Sequence, residues 1–163
     1  MDTRTDPNLV ERPAVSNPRS TAQIAGHPLH AMLIPFPIAC FVLTLFCDIY
    51  YFSVGDPAWV LASEWLLGAG LIMAGLAAVM GLTDFLSERR IRNLSASWWH
   101  MGLNVSAVLI SLYNFFMRDV DGAASGLPVT GIVLSAVVVA ILLVSGWLGW
   151  QMVYKHRVGV ADY

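Results

Sequence analysis

The residues of this 163-residue chain best suited to do chemistry are its four histidines, His27, His30, His100 and His156. A neutral imidazole ligates zinc, copper, iron or haem iron, and the His-x-x-His pair His27 and His30 places two such rings on adjacent turns. His100 lies beyond Trp98 and Trp99 toward the middle of an apolar run, where an ionisable side chain is costly unless it faces other helices and has a partner. His156 stands between Lys155 and Arg157, a position that also suits a cationic anchor at a helix C-terminus. His27, between Gly26 and Pro28, also reads as a loop residue. A haem b needs two histidines on opposite faces of the iron, which His100 with one from the first span (His27 or His30) or the fourth (His156) can supply, whereas a bare transition-metal ion needs three or four converging histidines. Asp84 and Asn104 are the candidates to orient a ligand from behind, and Asp84 can alternatively pair with Arg89, Arg90 or a histidine.

The elements that must position these residues follow from composition. Hydrophobic residues make up 57% of the chain and charged residues 12%, about half the charged share of a soluble domain, so lipid is its main solvent. Uncharged runs lie between His30 and Asp48, Glu64 and Asp84, Arg92 and Arg118, and from Gly122 to Tyr154, each near the ~20 residues that cross a bilayer. In lipid such runs must be helices, which predicts an all-α bundle of four spans over about 29–50, 60–84, 96–117 and 128–154. Pro35 and Pro37 predict a bend near the start of the first span. Residues 1–26, rich in Asp, Arg, Pro, Ser and Asn, read as a flexible cytoplasmic tail ahead of a membrane domain over 27–160.

Arg4, Arg12, Arg19, Arg89, Arg90, Arg92, Lys155 and Arg157 share one side of this topology and Arg118 alone falls on the other. That distribution predicts both termini in the cytoplasm, and with them all four histidines. The stripe Gly70, Ala74, Ala77 and Gly81 predicts close helix packing in the second span, as does Ser145 with Gly149, Met152 and His156 in the fourth. His100, Asn104, Ala107, Ser111 and Asn114 predict a polar face on the third. Cys40 and Cys47, two turns apart on one helix, read as packing residues. Asp48, Glu64 and Arg118, at the far side, read as structural.

Several of these residues fall in blocks that resemble a known family. Gly26-His27-Pro28-Leu29-His30 with Met32-Leu33-Ile34-Pro35-Phe36-Pro37, then Gly81-Leu82-Thr83-Asp84, His100-Met101-Gly102-Leu103-Asn104 and His156-Arg157-Val158-Gly159-Val160 are similar to the bacterial membrane proteins grouped as DUF 2231, a domain of unknown function. The resemblance runs from about Gly26 to Val160. Ala31 stands where that family often has proline, which loosens the helix start and leaves both imidazoles in place. Some family members are joined to Rieske-type iron–sulfur domains, which implies a redox partner and a bacterial inner-membrane location.

The leading expectation is a small membrane redox subunit holding haem b or a transition metal through His30 and His100, helped by His27 or His156. The alternative is a non-catalytic assembly protein without cofactor, packing against itself or a larger complex. A transporter fits less well, because the fourth span between Pro128 and Ser145 is almost wholly aliphatic and no internal repeat is evident. Small net charge without a basic cluster excludes nucleic acid as a partner, and no nucleophile–base pair or phosphate-binding loop points to a hydrolase or kinase.

Overall fold

The computed structural model describes residues 16–121, 127 and 129–161. Two short strands, β1 (Gln23–Ile24) and β2 (His27–Pro28), pair antiparallel around Ala25 and Gly26, whose φ angles of 50° and 81° make the tight turn. Helices α1 (Leu29–Leu33), α2 (Pro35–Val54), α3 (Ala58–Ser87), α4 (Arg89–Arg92), α5 (Ser95–Asp121) and α6 (Val129–Trp150) follow, and α6 runs into a π-helical turn over Gln151–Lys155. Leu29–Val54, Ala58–Ser87, Ser95–Arg118 and Val129–Lys155 are each long and apolar enough to cross a membrane, so the protein is a four-span, multi-pass bundle, in which residues 17–18 meet residues 159–160.

The first span breaks at Ile34, directly before Pro35, as the proline pair predicts: Pro35 has no N–H to continue the ladder. Gly55, at φ 73°, closes α2 by donating its N–H to the Tyr51 carbonyl at 2.8 Å. Most of the spans continue past the ends of the apolar runs. Asp84 and Arg118, which bound those runs in the sequence, stay inside the protein and so do not stop their helices. The tail expected through Gly26 also differs: residues 1–15 lie outside the described residues, but Ser20 and Ala22 are buried against the bundle.

Helices α2 and α3 pack as one antiparallel hairpin and α5 and α6 as another, while α2 meets α6 and α3 meets α5 to close the ring. Phe41, Leu67, Ala74, Ala107 and Val138 make the apolar core, one or two from each helix. Gly70 is needed there, since a Cβ would stand 2.8 Å from the Phe41 ring and 3.0 Å from Cys40. Trp65, Ile72 and Leu143 point outward, at 74%, 69% and 73% exposure, while Thr44, Asp48, Ser63, Asn114, Arg118 and Ser135 are buried. This inversion of ordinary polarity is what a lipid-facing surface requires.

The buried polar residues converge on Arg118. Its Nη1 and Nη2 donate to the two carboxylate oxygens of Asp48 at 2.8 and 2.6 Å, Nη1 also to Ser63 at 2.5 Å, Nη2 to Ser135 at 3.0 Å, and Nε to Asn114 at 3.1 Å. All five guanidinium donors are thereby used, with partners on every long helix. Ser135 in turn donates to Asp48 at 2.7 Å. Removing one ion and leaving the other buried is far costlier than removing both. Asp48→Leu is therefore expected to cost roughly 3–5 kcal/mol in detergent unfolding, and Asp48→Leu with Arg118→Leu much less; equal losses in the two proteins would contradict this account.

Candidate functional site

His30, in α1, and His100, in α5, meet across the bundle at the end opposite Arg118. Their ring centres are 6.3 Å apart and their planes 85° from parallel. Each ring is set by the neighbouring helix of its own hairpin. His30 Nδ1 is 2.8 Å from the Ala77 carbonyl oxygen, and His100 Nδ1 is 2.9 Å from that of Ser145. A carbonyl only accepts, so in the neutral form of each ring Nδ1 carries the hydrogen and Nε2 keeps the free lone pair.

A glycine lies one turn beyond each carbonyl, under the ring. A Cβ on Gly81 would stand 2.8 Å from His30 Nδ1 and 2.9 Å from its Cε1; one on Gly149 would stand 3.3 Å from His100 Cε1. The two hairpins thus build the same half-site: histidine, carbonyl, and glycine four residues after the carbonyl. The correspondence extends along α2 and α5. His30 and His100, Thr44 and Asn114, and Asp48 and Arg118 are each 70 residues apart, and 18 residues, five helical turns, separate histidine from charge in both. The two hairpins therefore carry histidine, carbonyl–glycine seat and buried charge in the same order and at matching spacings.

Behind His100, Ser145 Oγ lies 3.0 Å from Nδ1 and accepts from Asn104 Nδ2 at 2.5 Å, so Asn104 is one hydrogen bond removed from the ring. Asp84 occupies a different place from the one its proximity in the sequence reading suggested. Among the described residues it pairs with neither a histidine nor an arginine; its carboxylate accepts from Ser20, Thr21 and Ala22. His27 is exposed at the β-turn with its Nδ1 2.9 Å from the Ala25 carbonyl oxygen. His156 closes the π-helical turn, its backbone N–H donating to the Gln151 carbonyl at 3.1 Å. Among the described residues no three His, Cys, Asp or Glu side chains come together as a metal-binding group, so the convergence of three or four histidines expected for a bare ion is not formed.

Outside the spans, Glu88 caps α4 and forms an ion pair with Arg90 at 3.0 Å, and hydrogen bonds from the Arg90 side chain and backbone hold its carboxyl down to about 2. Cys40 and Cys47 are free thiols, Cys47 buried in the packing. Ser63 and Ser135 carry little mark in the sequence: Ser135 is a lone serine in an aliphatic stretch, and Ser63 stands beside Glu64 at the edge of its run. The small-residue stripes predict helix packing at Gly81 and Gly149, whereas the group each admits is an imidazole.

The cradles differ in tightness, and that difference is testable. Alanine in a helix interior gains about 1 kcal/mol over glycine, while forcing an atom into a filled space costs about 1–3 kcal/mol. Gly81→Ala is expected to lower the unfolding midpoint and Gly149→Ala to leave it level or raise it, read by thermal unfolding in detergent. A reversed order would mean that the His30 ring is not seated on Gly81.

No curated protein and no solved structure matches this chain. Residues 26–162, from the β-turn to the C-terminal segment, match the family described as predicted membrane protein DUF2231, and the chain belongs to that family.

Proposed function

We propose that this DUF2231 protein is a small electron-transfer subunit carrying a haem b between His30 and His100. The observation that carries this reading is the pair of facing rings 6.3 Å apart, each with Nδ1 tied to a carbonyl and Nε2 left as donor atom. Two imidazoles sharing one metal atom, each bonded at about 2 Å, have ring centres roughly 6 Å apart. The donor count favours haem over a bare ion, because the porphyrin supplies four nitrogens and asks the protein for only two. Bound there, haem iron would accept and release one electron at a time.

The protein's own part is orientation. The Ala77 and Ser145 carbonyls fix the tautomer and orientation of each ring, and Asn104 acts on His100 through Ser145. The apolar helices around the pair keep water away and bind the lipid bilayer. By the distribution of Lys and Arg, this end faces the cytoplasm of a bacterial inner membrane, within reach of a soluble or membrane-bound redox partner. His27 and His156 have no part in this centre.

The test is a visible spectrum and metal analysis of protein purified in mild detergent from cells supplied with iron and haem precursor, beside His30→Ala and His100→Ala. A Soret band lost or shifted in both variants is expected. Bound metal without a Soret band would replace haem by an ion. A folded, colourless and metal-free protein would overturn the reading and leave the assembly role.

A further inference from the structure

Asp84 is buried, 9% exposed, and its bonds all go to one segment. Ser20 Oγ donates to Oδ2 at 2.8 Å; the Thr21 and Ala22 amides donate to Oδ1 at 2.7 and 2.8 Å, with the Thr21 hydroxyl at 3.2 Å. Ala22 then returns a bond, its carbonyl accepting from the Leu29 amide at 2.9 Å. Leu29 is the first residue of α1 and the neighbour of His30. The same segment is tied to the other end of the chain, where Gly159 donates to the Pro18 carbonyl at 2.8 Å, Asn17 to that of Val160 at 3.1 Å, and Arg157 to Asn17 at 3.1 Å.

Helix α1 needs such support. It has five residues, no side chain caps its N-terminus at Pro28, and Pro35 cuts it from α2. So short a helix has no stability of its own. His100 is placed differently, inside the 27 residues of α5. The two histidines of the pair are therefore held by unequal means, one by a long helix and one by a strap.

We infer that Asp84 is the positioning residue for His30: by gripping Ser20, Thr21 and Ala22 it fixes the start of α1 and hence the imidazole that faces His100. The inference rests on the His30–His100 centre proposed above. Losing the grip would free the His30 imidazole alone, while His100, carried by α5, stays in place.

Two measurements on wild type, Asp84→Ala and the milder Ser20→Ala test this. In cofactor-free protein, the rate at which diethyl pyrocarbonate modifies each histidine is followed by mass spectrometry; His30 is expected to react severalfold faster in Asp84→Ala and less so in Ser20→Ala, with His100 unchanged. In reduced, haem-loaded protein, Asp84→Ala is expected to bind carbon monoxide as His30→Ala does, while wild type resists it. Unchanged His30 reactivity would overturn the inference, and so would a parallel rise at His100, which marks general loosening. Wild type that takes up no haem would sink the centre, and the modification rates would still decide whether Asp84 holds His30.

Discussion

A guanidinium inside a lipid-facing bundle has no water to turn to, and the arrangement of the four spans follows from that constraint. Arg118 is stable where it is because Asp48 neutralises it and because Ser63, Asn114 and Ser135 take the remaining donors. Those five residues belong to α2, α3, α5 and α6. No helix can rotate or slide without stranding a charge or a hydrogen-bond donor, so the pair specifies register and rotation for the whole bundle in a way that its aliphatic contacts, shared equally well with lipid, do not.

The register set at that end determines what meets at the other. Because histidine and charge are separated by the same five turns in both hairpins, pairing Asp48 with Arg118 across the axis brings His30 and His100 across the axis too. Between them lies the apolar layer of Phe41, Leu67, Ala107 and Val138, which keeps the two polar ends apart. The two hairpins match in spacing and differ in chemistry: one matched position carries a histidine in each, while another carries opposite charges. The first suits a shared ligand and the second suits self-closure.

The halves are not equal in their supports. On the α5 side the imidazole is carried by a long helix and backed by Ser145 and Asn104. On the α1 side the proline break at Ile34 leaves a short helix that relies on the strap at Asp84 and on the tight seat over Gly81. The segment expected to be a tail is, from Ser16 onward, the part that joins helix α3, the start of α1 beside His30, and the C-terminal residues.

The sequence by itself determined the four spans, their order and the bend at Pro35, because the requirement that backbone groups be satisfied in lipid leaves an uncharged run of that length no other form. It also placed the four histidines at one end of the bundle and marked His30 and His100 as the pair to watch. Only the tertiary structure decided which two rings face each other, which nitrogen each leaves free, and that Asp84 grips backbone amides instead of an imidazole or a cation. Those outcomes depend on the Ala77 and Ser145 carbonyls and the Thr21 and Ala22 amides, groups that every residue carries and no sequence distinguishes, and on the rotation of each helix about its axis. That rotation is set by a contact between residues 70 positions apart.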